Sequence, residues 1–359
     1  MANDLVSVLV PTYNRAYCLP RAVDSALAQT HQNLEVLIID DGSTDDTPDL
    51  VERLYGGDSR VRYVRQPNQG VSAARNTGIA AARGEFVGLL DSDDYWYPWK
   101  IAAQLAVLMH LPEVGMVWTN LEAVDVAGRV IAGRNIKTMY ATWRQFRDDE
   151  IFSRHFAFQD FAPQFDEFAK DAVVSVGEIF TPMIVGSLVH TSTTVIRRER
   201  LEKTGLFPID MRAGEDYDFH LRTCREGTVA FLDLPSIQYQ CGLDDHLSGD
   251  RNKIHVALNY LKTVAPYLER DRHLIHLSNR QLRRVIADAH RWVGDHALNL
   301  GEPNLAREHF RQSLCLNWRQ PRYAALYLSM CLPFQFGDHL RNTLRQCKRL
   351  LRARTVPTA

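Results

Sequence analysis

Residues 85–94 read Glu-Phe-Val-Gly-Leu-Leu-Asp-Ser-Asp-Asp, a short apolar run that ends in three carboxylates. The run favours a buried β-strand, so the acidic cluster stands at the carboxyl end of that strand. Crowded carboxylates repel one another unless a cation lies among them, and oxygen ligands suit Mg²⁺ or Mn²⁺ better than zinc. A single Asp-x-Asp is common by chance. Its position beyond a buried strand makes this segment a candidate metal site.

Strand and helix patterns alternate on both sides of this segment. The apolar periodicity predicts strands at 6–10, 34–39, 61–64, 85–90 and 114–118, and helices at 20–30, 47–55, 71–83 and 98–111. A second section follows, with strands near 193–196, 229–232 and 237–240 and a helix at 214–225. This alternation predicts an α/β fold with a mostly parallel sheet and helices on both faces. Ligands of such sheets bind beyond the carboxyl ends of the strands, where Asp40-Asp41 and Asp91–Asp94 fall.

Two other regions differ from this pattern. Residues 148–178 hold eight acidic residues and six phenylalanines, which predicts a helical insertion whose rings pack on the sheet, or alternatively a lid on the acceptor side. From residue 252 the sequence is helical and basic, with Gly294, Ala297, Ala306, Phe310 and Ser313 spaced as in one tetratricopeptide repeat. We therefore expect an α/β domain over 1–251 and an all-helical region with one helical hairpin over 252–359.

Charge and composition narrow the class of protein. The 359 residues carry a net charge of −1, which argues against a nucleic-acid binder. Residues 257–359 alone hold 17 basic and 7 acidic residues. This basic end is interpreted as a solvated helix, as a partner for the acidic first domain, or as a peripheral contact with an anionic membrane. Six scattered cysteines, without a signal-like or membrane-spanning apolar run, predict a cytoplasmic protein, either free or peripheral at the inner face of the membrane.

Four motifs in order resemble the family 2 glycosyltransferases, which have the GT-A fold. They are Val-Leu-Val-Pro-Thr-Tyr-Asn at 8–14, Ile-Asp-Asp-Gly-Ser-Thr-Asp at 39–45, Asn-Gln-Gly with Ala-Arg-Asn-x-Gly at 68–78, and Asp-Ser-Asp-Asp at 91–94. The resemblance covers about residues 5–250 and leaves the C-terminal hundred residues outside it. It implies a Rossmann-like GT-A catalytic domain that is inverting and non-processive.

The resemblance also implies which residues hold a nucleotide-sugar donor. Pro11, Thr12 and Tyr13 would line the base and ribose, and Asp41 would accept the N3–H of uracil, although Asp40 and Asp41 are also typical of a simple turn. Arg75, beside Asn76, would offer its fork to the diphosphate, although it also fits a surface helix. Asp91 and Ser92 complete the donor contacts, and Asp93 and Asp94 are the metal-ligand candidates.

The Glu215-Asp216 pair, about 120 residues after Asp-x-Asp, resembles the acidic pair of the family's catalytic helix. Acids at a helix start often only compensate the helix dipole. The resemblance instead implies that Asp216 is the general base and that Glu215 orients it or the acceptor. Many relatives end the domain with Tyr-Arg-x-His, whereas this chain reads Tyr-Gln-Cys-Gly at 239–242. His246 is the candidate for the missing imidazole and for a third metal ligand.

Together these features predict an enzyme that transfers one hexose from a nucleotide diphosphate sugar, most simply a UDP-sugar, to an acceptor hydroxyl. Mn²⁺ or Mg²⁺ is the expected cofactor, and the acceptor is a carbohydrate, glycolipid or protein in cell-surface polysaccharide or glycolipid assembly. One alternative is a non-catalytic sugar-nucleotide-binding or scaffold protein that acts through its helical C-terminus. A nucleotidyltransferase is disfavoured because residues 11–15 do not form a glycine-rich, basic phosphate loop.

Overall fold

The structure is a computed structural model that describes residues 4–242 and 252–331. The chain divides into two compact units, residues 1–246 and 247–359. The described part of the first unit contains one mixed sheet with helices packed on it, and the described part of the second is helical.

Eleven strands of the first unit's described residues form the sheet. They are β1 Val6–Thr12, β2 Leu34–Asp40, β3 Val61–Arg65, β4 Phe86–Leu89, β5 Tyr95–Trp96, β6 Met116–Val124, β7 Val130–Ala132, β8 Arg154–Ala157, β9 Val173–Gly177, β10 Val195–Arg197 and β11 Val229–Gln240. The main path runs β3-β2-β1-β4-β10-β6-β11-β9-β8, with β5 paired to β11 and β7 to β6.

Helices connect these strands. They are α1 Leu19–Leu27, α2 Thr47–Tyr55, α3 Val71–Ala81, α4 Lys100–His110, α5 Ile136–Met139, α6 Asp148–Ile151, α7 Asp166–Ala169, α8 Phe180–Val185, α9 Arg198–Thr204 and α10 Glu215–Arg225. The predicted alternation of strand and helix over the first 125 residues is confirmed, with element ends displaced by a few residues.

The centre of the sheet combines parallel and antiparallel pairing. Strands β1 to β4 run in one direction, with Val8 opposite both Val36 and Gly88, and β6 pairs parallel with β11. The short strand β10 lies between β4 and β6 and pairs antiparallel with both. Most strands share one direction, so the predicted mostly parallel sheet is confirmed. All of β1 and β2 is buried, as continuous apolar strands covered on both faces require.

The prediction of a helical insertion at 148–178 is wrong. Apart from short helical turns, this region contributes β8 and β9, which form an antiparallel pair that extends the sheet beyond β11. The valines of 173–176 favour an extended strand, since β-branched side chains pack well on a pleated surface. The phenylalanines do pack as expected in part: Phe152, Phe158 and Phe165 are buried.

The described part of the second unit contains four α-helices. They are α11 Lys253–Arg270, α12 Asn279–Asn299, α13 Pro303–Leu316 and α14 Pro321–Cys331. Ser278 and Gln281 form a capping box at the start of α12. Helices α12 and α13 pack closely because Gly294 lies directly under the buried Phe310 ring. Within the described ranges, no helix combines the length and the apolar character that crossing a bilayer requires.

Candidate active site

The Asp-x-Asp segment follows β4 at the carboxyl end of the sheet, as its sequence position predicts. The Asp91 N–H donates to Ser192 Oγ at 3.1 Å, and the Asp94 N–H donates to the Asp91 carbonyl at 3.0 Å, which closes a tight turn. The carboxylate of Asp93 accepts from Arg15 Nη1 at 3.1 Å. Ser92 and Asp94 are buried, whereas the side chains of Asp91 and Asp93 are partly open to solvent.

Arg75 joins this segment to the Glu-Asp pair of α10. Its Nη2 donates to Asp91 Oδ1 at 2.8 Å and its Nη1 donates to Glu215 Oε1, 140 residues along the chain, at 2.9 Å, so one guanidinium bridges the two acidic segments. Burial raises the pKa of Asp91, but the Arg75 charge more than offsets this effect and holds that pKa below its usual range. Arg75 is 4% exposed and therefore is not the surface arginine of the simpler interpretation. It brings the two predicted acidic motifs together.

Glu215 and Asp216 occupy the first turn of α10. Gly214 precedes them with φ +84°, a left-handed conformation that glycine adopts readily. Glu215 is buried, and this burial, together with the Asp216 charge, raises its pKa to about 7 despite Arg75. Asp216 is half-buried, and its Oδ1 accepts the N–H of Tyr217 at 2.8 Å. Asp216 is thus the more open acid of the pair.

The loop after β1 is held against the turn after β2. Asn14 has φ +52°, and its Oδ1 accepts the backbone N–H of Thr44 at 2.7 Å, while its own N–H donates to Ser43 Oγ at 2.9 Å. These bonds fix the preceding Pro11-Thr12-Tyr13 segment. Pro11 and Thr12 are buried, and the Tyr13 ring is 46% exposed, so it can contact a ligand.

Three of the predicted donor-binding residues are also engaged within the protein. Asp41 accepts the backbone N–H of Gly70 at 2.7 Å and that of Gln69 at 3.0 Å, and the Gln66 side chain donates to it at 2.7 Å. Asn76 pairs with both backbone groups of Phe207, at 2.9 Å and 2.8 Å. Arg75 has the two carboxylates described above. The structure therefore gives each of them an anchoring contact, and their roles toward a donor stay predictions.

His190, which sequence reasoning missed, lies beside the same carboxylates. Its Nε2 is 3.7 Å from Asp94 Oδ2, and its Nδ1 is 3.1 Å from the Tyr140 hydroxyl. Its ring contacts Tyr239 edge-on, with centroids 5.1 Å apart. Burial lowers the pKa of His190, but the charges of Asp94, Asp91 and Asp216 outweigh that effect and raise it. A lone histidine at the start of a polar turn carries no pattern that could have indicated this position.

The carboxylates of the site fit one mode of binding a divalent cation. Among the described residues, no three His, Cys, Asp or Glu side chains are grouped closely enough to hold a metal between them. Mg²⁺, however, is commonly bound by one or two carboxylates together with substrate phosphates. Asp93 and Asp94 fit that mode, since both lie at the strand end and Asp93 is partly open. His246, the third candidate ligand, lies outside the described residues.

Comparison with known proteins agrees with this geometry. Residues 7–169 match the family model described as glycosyl transferase family 2. The chain is 30% identical over 272 residues to an uncharacterized glycosyltransferase of Rickettsia felis, which covers 74% of this chain and 38% of that protein. It is 41% identical over 128 residues to a chondroitin synthase of Pasteurella multocida, covering 36% of this chain and 13% of that protein. The chain thus spans a minor part of these relatives.

Among solved structures, the chain resembles S. aureus TarS 1-349 in complex with UDP-GlcNAc. The TM-score is 0.61 with 16% sequence identity, and the match covers 96% of this chain and 91% of that one. At this identity the likeness establishes the fold. The first unit is therefore a GT-A fold in which residues 7–169 carry the family 2 glycosyltransferase match.

Proposed function

We propose that the chain is a family 2 glycosyltransferase that transfers one sugar from a UDP-sugar to an acceptor hydroxyl, with inversion and without processive addition. The observation that carries this proposal is the Arg75 bridge between Asp91 and Glu215. Arg75 contacts both the Asp-x-Asp turn, which is the proposed donor site, and the Glu-Asp pair, and this supports the proposal although the matched family segment ends well before α10.

In the proposed reaction, the two acids of α10 have separate tasks. Asp216 accepts the proton of the attacking acceptor hydroxyl, because it is the more open acid beside the Asp-x-Asp turn. Glu215 does not touch the reacting atoms: it holds the start of α10 through Arg75. The acceptor oxygen attacks the anomeric carbon as the bond to the diphosphate breaks, so a single displacement inverts the configuration without an enzyme nucleophile.

Asp41 and Tyr13 are proposed to hold the nucleotide base. The Gln66 side-chain amide that now donates to Asp41 is the contact that a uracil N3–H would replace, since both are N–H donors. The two backbone donors from Gln69 and Gly70 would stay and keep the carboxylate oriented. UDP is chosen because the TarS structure of similar fold contains UDP-GlcNAc.

A divalent cation, Mn²⁺ or Mg²⁺, would be held by Asp93, with Asp94 as a second candidate, and by the donor diphosphate. When bound, such an ion supplies positive charge that stabilises the departing diphosphate. Arg15, which now pairs with Asp93, would turn its guanidinium toward the diphosphate oxygens. An acceptor in cell-surface polysaccharide or glycolipid assembly fits the synthase relative.

The competing interpretation is a non-catalytic nucleotide-sugar-binding or scaffold protein. It is disfavoured because a binding module needs the donor turn but has no need of a half-buried acid next to it. Intact Asp-x-Asp and Glu-Asp elements therefore favour the enzyme.

The test is release of nucleoside diphosphate from a panel of UDP-glucose, UDP-galactose, UDP-GlcNAc, UDP-GalNAc and GDP-mannose, each with and without Mn²⁺. We expect slow release from one UDP-sugar, and faster release when an acceptor glycan or glycolipid extract is added. Release from none of these donors, with no acceptor able to stimulate it, would favour the non-catalytic alternative.

The metal assignment has its own test. Asp93→Ala should abolish the Mn²⁺-dependent part of donor turnover without changing the thermal unfolding midpoint, because the residue lies at a strand end rather than in the core. Asp148→Asn, on the surface of the insertion, is the matched control and should behave as wild type. Full activity of the wild type in excess chelator would contradict the assignment.

A further inference from the structure

His190 is held in place by a rigid support that the proposed reaction does not explain. It directly precedes the turn Thr191–Thr193, which three contacts fasten to the Asp-x-Asp side of the site. The Trp96 Nε1–H donates to the Ser192 carbonyl at 2.9 Å, Gln104 Nε2 donates to the Thr193 carbonyl at 2.9 Å, and Ser192 Oγ accepts from the Asp91 N–H. The backbone of His190 therefore cannot shift without moving the donor turn.

The orientation of the imidazole is also fixed. Tyr140 contacts Nδ1 at 3.1 Å and Tyr239 packs edge-on against the ring, so Nε2 points toward Asp94. Nε2 is buried and has no hydrogen-bond partner among residues 4–242 and 252–331. A bare nitrogen lone pair next to the Asp94 carboxylate would be repelled by it, so Nε2 carries the hydrogen and Nδ1 faces the Tyr140 hydroxyl. A buried N–H donor without an acceptor is costly and calls for a ligand.

The distance between the two groups suits one particular ligand group. Nε2 and Asp94 Oδ2 are 3.7 Å apart, too far for a direct hydrogen bond. A hydroxyl oxygen about 2.8 Å from each atom would complete a triangle with them. That hydroxyl would accept from Nε2–H and donate to the carboxylate, and a sugar hydroxyl can do both at once. A phosphate oxygen, which cannot donate, would be repelled by Asp94.

From this geometry we propose that His190 and Asp94, supported by Tyr140, form a subsite that binds a hydroxyl of the donor's sugar. The inference rests on the proposed function, since it needs a sugar attached to the nucleotide. It assigns Asp94 to the sugar and leaves Asp93 as the carboxylate for the cation. His190 then acts in donor selection, through the position of the hydroxyl that it can reach, and takes no part in proton transfer.

The experiment compares the affinities for UDP and for the UDP-sugar that the wild type turns over, measured by calorimetry with Mn²⁺ present. For His190→Ala we expect roughly a 10- to 100-fold loss of UDP-sugar affinity, as the removal of a hydrogen bond to a charged pair implies. Affinity for UDP itself should stay within about threefold, because UDP lacks the transferred sugar, whose hydroxyl the subsite is proposed to bind. His190→Gln, whose amide N–H reaches a similar place, should restore part of the loss.

Two further variants keep the test decisive. Tyr140→Phe retains the ring but removes the hydroxyl at Nδ1, so it should weaken UDP-sugar binding less than His190→Ala does, and it serves if the alanine variant fails to fold. His110→Gln, on an exposed position of α4, is the control and should match wild type. Equal losses for UDP and UDP-sugar would overturn the subsite and place His190 at the ribose, the diphosphate or the cation.

Unchanged affinity for both ligands would also overturn it, while leaving the proposed transferase function standing. If the wild type bound neither UDP nor any UDP-sugar of the panel, the proposed function itself would fail together with the subsite. The two failures are therefore distinguishable.

Discussion

At the scale of single residues, the site depends on the buried guanidinium of Arg75, which pairs with two carboxylates. Arg75 is surrounded by acids, and burial lowers its pKa less than Asp91 and Glu215 raise it, so its charge persists over any usable pH. Its two partners are thereby held in fixed positions, whereas the side chain of Asp216 stays partly exposed.

Replacing Asp216 with Asn therefore separates binding from chemistry. The amide is nearly isosteric but cannot accept a proton, so UDP-sugar affinity should persist while turnover falls by roughly 10²- to 10⁴-fold. Calorimetry and initial rates measure the two effects, with Asp148→Asn as control. Turnover within a few-fold of wild type would show that Asp216 is not the base and would direct attention to Glu215 and Asp218.

His220, on the buried face of α10, should make stability depend on pH. Burial first, and then the charges of Arg75 and His190, lower its pKa to about 3, while the unfolded chain titrates near 6.5. Below pH 6.5 the His220 imidazole therefore binds a proton in the unfolded state but not in the folded state. The stability that neutral His220 provides is complete above that pH and is lost progressively as the pH falls toward 3.

The measurement is the urea midpoint of the first unit's unfolding transition at pH 7.5, 6 and 5. His220→Gln, which does not titrate, should be less stable than wild type at pH 7.5, since the 3.3 Å contact with Thr191 Oγ1 changes, but should lose less on acidification. His110→Gln should retain the wild-type slope. Parallel pH profiles for His220→Gln and wild type would contradict the account.

The sequence predicted some residues of the site and missed others. The Asp-x-Asp and Glu-Asp motifs were visible because acids gathered at a strand or helix end form a pattern. The pairing of Arg75 with Glu215 and the position of His190 were not, because each depends on contacts between segments far apart in the chain. Nothing local distinguishes His190 from any other histidine.

At the scale of secondary structure, local patterns predicted most elements of the first half and failed where pairing is non-local. Strands β1 and β2 are continuous apolar runs, and such a run predicts a buried strand from its local sequence alone. Strand β10 runs antiparallel to both of its neighbours, β4 and β6, and nothing in its three residues of sequence indicates that direction. Likewise, the number of phenylalanines in 148–178 indicated that the segment is buried, but it did not indicate the extended conformation of β8 and β9.

Gly294 gives an element-scale prediction in α12. Alanine normally stabilises a helix interior by about 1 kcal/mol over glycine. Here a Cβ would lie 2.4 Å from Cε1 of Phe310, whose ring is fully buried and cannot move aside cheaply. We therefore expect Gly294→Ala to destabilise the helical unit by roughly 1–3 kcal/mol, as overpacking does.

Chemical unfolding followed by circular dichroism checks this prediction. Arg283→Ala, exposed on the same helix, is the matched control and should change the free energy of unfolding by no more than about 0.5 kcal/mol. A more stable Gly294→Ala variant would mean that helix propensity outweighs the clash, and that the α12–α13 contact is looser than the structure shows.

At the scale of the whole molecule, charge divides the chain. Residues 257–359 are strongly basic while the rest is acidic, and the last arginines, from Arg341 to Arg354, lie outside the described residues. Each basic residue near an anionic surface contributes about 1 kcal/mol of binding, so we expect this end to hold the protein loosely on a membrane. Such placement would suit a lipid-linked acceptor.

Flotation with liposomes that contain anionic lipid tests this prediction. The full chain should float with them at low salt and dissociate as salt rises, because salt screens the attraction. A chain cut after Gly337 should bind much less, and neutral liposomes are the control. Failure of the full chain to bind at low ionic strength would rule out the membrane contact.

The position of β10 has a consequence for synthesis on the ribosome. Strand β4 is complete by Leu89, but the strand that pairs with its open edge begins only at Val195, about a hundred residues later. At roughly 5–20 residues per second, the nascent chain would wait about 5–20 s with that edge unpaired. The ion pair between Arg75 and Glu215 would form later still, because 140 residues separate the two positions. An unpaired edge is a template for aggregation, so this protein should depend on chaperones during translation more than its finished stability suggests.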